Sequence, residues 1–296
     1  MIKLEGLSVA LATPFTRTGE IDLSAFRKLV RHVVAGGADV LMPLGSTGEA
    51  ATINDSERDP LIVACLEEAG GKPVVVGCGS NNTAACAAMT RRAQQLGAQG
   101  VLVVGPYYNK PTLNCLVAHF AAAGDAAPDL PVVLYNVPGR TGQNITPAML
   151  NVLWENPQIV AVKESSGDIA QIAEIVRTLP PGKTVLSGDD PLALPSIAVG
   201  AEGLVSVMGN AFPAEVKALV TAARSGAREQ ALQLHHRLLP IIHALFAESN
   251  PIPIKAQLAQ MGICTDMMRL PLVPAQPSTV DRLKQAVVGL TRTTLI

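Results

Sequence analysis

Apolar residues in this chain gather in short β-branched runs that seldom alternate with polar ones. Such runs begin at Leu7, Val40, Pro73, Val101, Val132, Ile159, Thr184 and Leu204. They recur every roughly 20–35 residues, the length of one strand followed by one helix. Unbroken apolarity implies burial on both faces, the condition of a strand in a parallel sheet. The segments between carry helix-start signals: Asp22 precedes Leu23–Ala35, and Thr146-Pro147 precedes Ala148–Trp154. Eight strand–helix units predict an α/β fold, a closed (β/α)8 TIM barrel. A doubly wound open sheet is the alternative, although such sheets usually have fewer parallel strands.

Beyond Asn210 the strand pattern stops. Pro213–Arg224, Glu229–Ala247, Ile252–Met261 and Val280–Leu290 read as helices. The expected organisation is therefore a barrel over residues 1–224 and a C-terminal helical appendage over 225–296, packed on the barrel without a flexible linker.

Composition narrows the function. A net charge of −1 gives no electrostatic case for nucleic acid or anionic lipid. No apolar run approaches the roughly 18 residues of a membrane span. The start, Met1 to Gly6, has no basic region of the kind that opens a secretory signal. Five scattered cysteines (Cys65, Cys78, Cys86, Cys115 and Cys264) suggest neither a disulfide framework nor a metal site, and read as small core residues. The expectation is a soluble, cytoplasmic protein. The five histidines all fall in predicted helices and form no ligand cluster, and no phosphate-binding glycine motif is present, so neither metal nor cofactor is expected.

Active sites of such barrels lie at the C-terminal ends of the strands. Polar and glycine-rich sequences collect there: Gly45-Ser46-Thr47-Gly48-Glu49, Gly105 to Asn109, Tyr135 to Gly142, Lys163 to Gly167, and Ser187-Gly188-Asp189-Asp190. Lys163 directly follows Ile159-Val160-Ala161-Val162, at the end of a strand expected to be buried. A desolvated lysine is a nucleophile toward ketones. A lysine whose head snorkels to solvent from a strand end would look the same. Hydroxyls nearby in the fold favour chemistry. Tyr135 on the adjoining strand could shuttle the protons that imine formation requires. Ser46 and Thr47, between two glycines, offer hydroxyls and N–H groups suited to a carboxylate.

Together with Pro106 to Pro111 and Glu248-Ser249-Asn250-Pro251-Ile252-Pro253-Ile254-Lys255, these motifs resemble the dihydrodipicolinate synthases, within the superfamily of pyruvate-dependent class I aldolases. The likeness runs in order from about Gly6 to beyond Gly262. It implies a lyase that needs no cofactor, in which pyruvate forms an imine with Lys163 and the enamine attacks aspartate semialdehyde. The product would be 4-hydroxy-tetrahydrodipicolinate, in lysine and diaminopimelate biosynthesis. It further implies that Tyr135 passes protons, that Ser46 and Tyr108 complete the relay, and that Tyr108 reaches into a neighbouring subunit. Thr47 would bind the pyruvate carboxylate, Arg140 would hold that of the aldehyde, and Gly188 and Val205 would line the pyruvate pocket through backbone groups. The implied assembly is a homotetramer of two tight dimers.

Two departures stand out. Ser46 replaces the usual threonine, and the Ser-Thr-Gly-Glu-Ala form also resembles N-acetylneuraminate lyase, which lacks the arginine of Arg140 and the Asn-Pro-Ile-Pro tail. Lysine-inhibited members carry glutamate at the position of Ala85 and histidines at those of Asp55 and Arg58, so weak or absent inhibition by lysine is expected. The remaining alternatives are another pyruvate aldolase, such as a keto-deoxy sugar acid enzyme, and a keto-acid-binding protein without turnover.

Overall fold

A computed structural model describes residues 2–292. Its eight strands are β1 (Gly6–Ala10), β2 (Val40–Met42), β3 (Val75–Gly77), β4 (Gly100–Val104), β5 (Val132–Asn136), β6 (Ile159–Glu164), β7 (Thr184–Ser187) and β8 (Gly203–Ser206). They pair in parallel in the order β2-β1-β8-β7-β6-β5-β4-β3. A parallel bridge from Leu41 to Val74 joins the two ends and closes the barrel. All eight expected runs contain a strand, and helices follow them on the outside.

The pleat sorts each strand into two faces. Val9, Val103, Leu134, Val162 and Val185 point outward into the main hydrophobic core against the helices. Ala10, Met42, Leu102, Tyr135, Ala161 and Leu186 point inward and fill the barrel. The same alternation sends Lys163 inward and Glu164 outward, so register alone delivers the lysine to the barrel mouth. Tyr135 is paired with Lys163 across β5 and β6, and Val104 with Tyr135 across β4 and β5. Three neighbouring strands therefore converge on one point.

Local chemistry sets the helix starts. The Asp22 carboxylate accepts from Ala25 N at 2.9 Å and opens Leu23–Ala35; the Thr146 hydroxyl accepts from Met149 N at 3.3 Å ahead of Pro147–Leu153. Capping of this kind satisfies N–H groups that the first turn cannot. Beyond the barrel helix Pro213–Arg224 come Arg228–Leu245, Ile252–Gln260 and Pro277–Arg292, close to the predicted limits. Cys65, Cys78 and Cys86 are buried as expected, whereas Cys115 is exposed on Leu113–Asp125 and Cys264 half-buried. The run at Leu113–Asp125 shows a helix, but not which of its sides meets the core.

Candidate active site

Every described non-glycine residue with positive φ lies on one of two loops at the barrel's C-terminal face. Leu44 (61°) and Glu49 (53°) bracket the Ser46-Thr47-Gly48 turn after β2; Tyr108 (70°) and Lys110 (48°) lie on the loop after β4. Backbone held in this region is costly for residues with a Cβ, and persists where surrounding contacts over-determine it. Gly77 helps shape the first loop, since a Cβ there would lie 1.9 Å from the Leu44 carbonyl oxygen.

The tail supplies much of that determination. Lys255, with no exposed surface, places Nζ 2.7 Å from Glu49 Oε1 and 4.2 Å from the centre of the Phe15 ring. Glu49 Oε2 accepts from Arg269 N at 3.2 Å, and the Arg269 guanidinium clasps Glu57 at 2.6 and 2.7 Å. Asn250 Nδ2 donates to Thr47 Oγ1 at 3.0 Å, and the Asn250 carbonyl accepts from Arg140 Nη2 at 2.9 Å. The appendage is thus bolted to the loops that carry Ser46, Thr47 and Arg140.

A cleft of about 480 Å³ opens at this face. Ser46, Tyr135, Arg140 and Asn250 line it near the barrel axis; Asp55 and Arg58 line its far end. Lys163, Thr47 and Val205 lie buried in the barrel mouth beside this wall, and Gly188 is half-buried there. Lys163 is 5% exposed, with Nζ 4.2 Å from the centre of the Tyr135 ring. No carboxylate forms an ion pair with it among the described residues. Asp190, wholly buried, is near enough to feel its charge. Among the described residues neither the Ser46 nor the Tyr135 hydroxyl has a hydrogen-bond acceptor, so both are available to a ligand.

Gly188 has a steric reason to be glycine. A Cβ would fall 2.0 Å from Ser165 Oγ and 2.7 Å from Lys163 Cε, so the absent side chain is the space the lysine stem occupies. Tyr108 is placed differently. It is 89% exposed and does not line its own cleft, whereas Tyr107 does.

Two groups of buried polar residues brace the site, and sequence alone assigns them no role. Asn136 accepts from Ile145 N at 2.9 Å and donates to Asn144 Oδ1 at 2.8 Å and Glu164 Oε2 at 2.9 Å. It fastens the loop bearing Arg140 to the strands bearing Tyr135 and Lys163. Burial pushes the Glu164 carboxyl above its usual range, opposed by hydrogen bonds from Ser166 and Asn136. Just beyond the next strand, Asp190 accepts from Ser206 Oγ, from Val207 N at 2.8 Å and from Met208 N at 3.3 Å, tying down the loop after Val205.

Among the described residues the Asp189 carboxylate has no such partners. Burial, with Asp190 beside it, pushes its carboxyl from 3.8 up to about 6. Between those values the folded chain holds a proton that the unfolded chain has released, so stability falls as pH rises through the window. Asp189→Asn cannot ionise. It should melt higher than the parent at about pH 7.5 and match it at about pH 3.5 in thermal denaturation. An equal offset at both pH values would rule out ionisation as the cause.

Comparison with known proteins shows the family. The model of the dihydrodipicolinate synthetase family matches residues 3–289. The 4-hydroxy-tetrahydrodipicolinate synthase of Methanospirillum hungatei is 45% identical over 285 residues, covering 95% of this chain and 97% of that one. The crystal structure of dihydrodipicolinate synthase from Thermotoga maritima superposes with a TM-score of 0.94 at 39% identity, covering 97% of this chain and 98% of that one. The chloride-inhibited dihydrodipicolinate synthase from Acinetobacter baumannii, solved with pyruvate, gives a TM-score of 0.95 at 34% identity, covering 98% and 99%. By sequence along nearly its whole length and by fold, this chain belongs to the dihydrodipicolinate synthetase family.

Proposed function

We propose that the chain condenses pyruvate with aspartate semialdehyde to 4-hydroxy-tetrahydrodipicolinate through an imine on Lys163. The observation that carries the site assignment is a buried lysine without a carboxylate partner, lying against the ring of a tyrosine whose hydroxyl is uncommitted. The neutral Lys163 amine adds to the ketone carbon of pyruvate, and water leaves as the imine forms. Tyr135 supplies and removes protons in these steps, with Ser46 the next hydroxyl along the cleft wall. Loss of a proton from the pyruvate methyl group gives the enamine, whose carbon attacks the aldehyde. The amino group of the product then displaces Lys163 as the ring closes. The protonated imine is the electron sink, so the proposed reaction draws on no cofactor.

Thr47 is assigned the pyruvate carboxylate, with the backbones of Gly188 and Val205 completing the pocket. Arg140, exposed at the rim of the cleft, is assigned the carboxylate of the aldehyde, for which a guanidinium offers paired donors. The exposure of Tyr108 supports a role in a neighbouring subunit, and with it a homotetramer of two tight dimers. A cytoplasmic enzyme acting on two small molecules, without nucleic acid or membrane, completes the reading. No described helix is long and apolar enough to cross a membrane. We place the end of the catalytic barrel at residue 224, with the appendage from 225 onward.

Pyruvate consumption with a panel of aldehydes tests the assignment. Consumption with aspartate semialdehyde alone supports it, whereas consumption with N-acetylmannosamine or glyceraldehyde alone would move the chain to another pyruvate aldolase. Arg140→Ala should raise the KM for aspartate semialdehyde roughly 10- to 100-fold, the loss of one charge-assisted contact. Borohydride trapping of the pyruvate imine should be unchanged. A variant that binds the aldehyde normally but loses the imine would refute this role for Arg140.

A further inference from the structure

Asn250 stands between two residues assigned to substrate carboxylates, and it meets each through a different part of itself. Its side chain donates from Nδ2 to Thr47 Oγ1 at 3.0 Å. Its main-chain carbonyl accepts from Arg140 Nη2 at 2.9 Å. The residue is 8% exposed and lines the cleft. Its Oδ1 makes no hydrogen bond among the described residues, so the bond to Thr47 is the only one its side chain makes there.

The direction of that bond matters. A threonine hydroxyl has one proton and two lone pairs. By accepting from Asn250, Thr47 keeps its proton free to donate, as an anionic carboxylate requires. We propose that Asn250 is a positioning residue: its carboxamide orients the Thr47 hydroxyl toward the pyruvate carboxylate, and its carbonyl aims Arg140 at the second substrate. The inference rests on the roles given above to Thr47 and Arg140.

The division between side chain and main chain makes it testable. Asn250→Ala removes the bond to Thr47 and leaves the carbonyl that holds Arg140. Steady-state kinetics should show pyruvate KM rising roughly five- to tenfold, a typical loss for one hydrogen bond. The KM for aspartate semialdehyde and kcat should stay within about twofold. Asn250→Asp, matched in size, cannot donate. It takes the Thr47 proton for itself and adds a negative charge, so its pyruvate KM should rise further. The double variant with Thr47→Val should bind pyruvate no worse than Thr47→Val alone, because both remove the same contact.

Equal rises in the two KM values, or losses that multiply in the double variant, would overturn the proposal and leave Asn250 a general structural residue. If Asn250→Ala does not fold, Asn250→Asp carries the same comparison. If Thr47→Val itself leaves pyruvate KM unaltered, the Thr47 assignment falls, and the proposal falls with it. If Thr47→Val weakens pyruvate binding but neither Asn250 variant does, the proposal alone fails.

Discussion

Lys163→Ala should abolish the pyruvate imine and lower kcat at least a thousandfold, the scale at which removal of a covalent catalyst is felt. Borohydride with pyruvate should add one reduced adduct to the parent chain by mass spectrometry and none to the variant. The fold should survive. Among the described residues Lys163 makes no ion pair or hydrogen bond and rests against the Tyr135 ring, so truncation leaves no hydrogen-bonded or ion-paired partner unsatisfied. A melting temperature at or above the parent's is therefore expected alongside the loss of activity. Lys163→Arg should be equally inactive, since a guanidinium remains protonated and is not a nucleophile. Its larger head must also fit between the Tyr135 ring and Gly188. A trapped adduct on Lys163→Ala would relocate the chemistry to another lysine, and a folded variant retaining full turnover would reject the imine altogether.

Lys163 was legible because its signal is local. An unbroken apolar run ends in a lysine, and the two-residue pleat then dictates which way that side chain faces. Tyr135 followed because adjacent parallel strands bring their ends together. The eight strands and the tail helices were legible for the same reason: period and run length are properties of a short window. The helix expected over Glu229–Ala247 forms as Arg228–Leu245, with Pro240 inside it.

Sequence alone gives Asn250 no role, because its partner Thr47 is 203 residues away and a polar contact across that distance leaves no periodic trace. The left-handed residues were hidden differently. Glycine normally marks such backbone, but at Leu44, Glu49, Tyr108 and Lys110 the surrounding packing imposes it on residues that carry no such mark. Glu49 joins both cases, with a strained backbone held through a side chain whose partner comes from the tail.

Lys255→Met should therefore be the most destabilising single change outside the barrel core. Lys255 and Glu49 are both sealed from solvent, with side-chain exposures of 0% and 1%. Burial pushes the Lys255 ammonium below its ordinary range, and the Glu49 carboxylate opposes that shift. Removing one charge from such a pair leaves the other desolvated and uncompensated, at a cost of about 3–5 kcal/mol. In a chain of this size that lowers the melting temperature by roughly 10 °C. The turn carrying Ser46 and Thr47 ends at Glu49, so the variant should also bind pyruvate more weakly at temperatures where it remains folded. Lys255→Met combined with Glu49→Leu removes both charges and should recover most of the lost stability. Recovery should stop short of complete, because the Arg269 N–H then loses its acceptor at Glu49 Oε2. If the double variant melts as low as Lys255→Met, packing around the lysine stem and not the buried pair holds the tail to the catalytic loop.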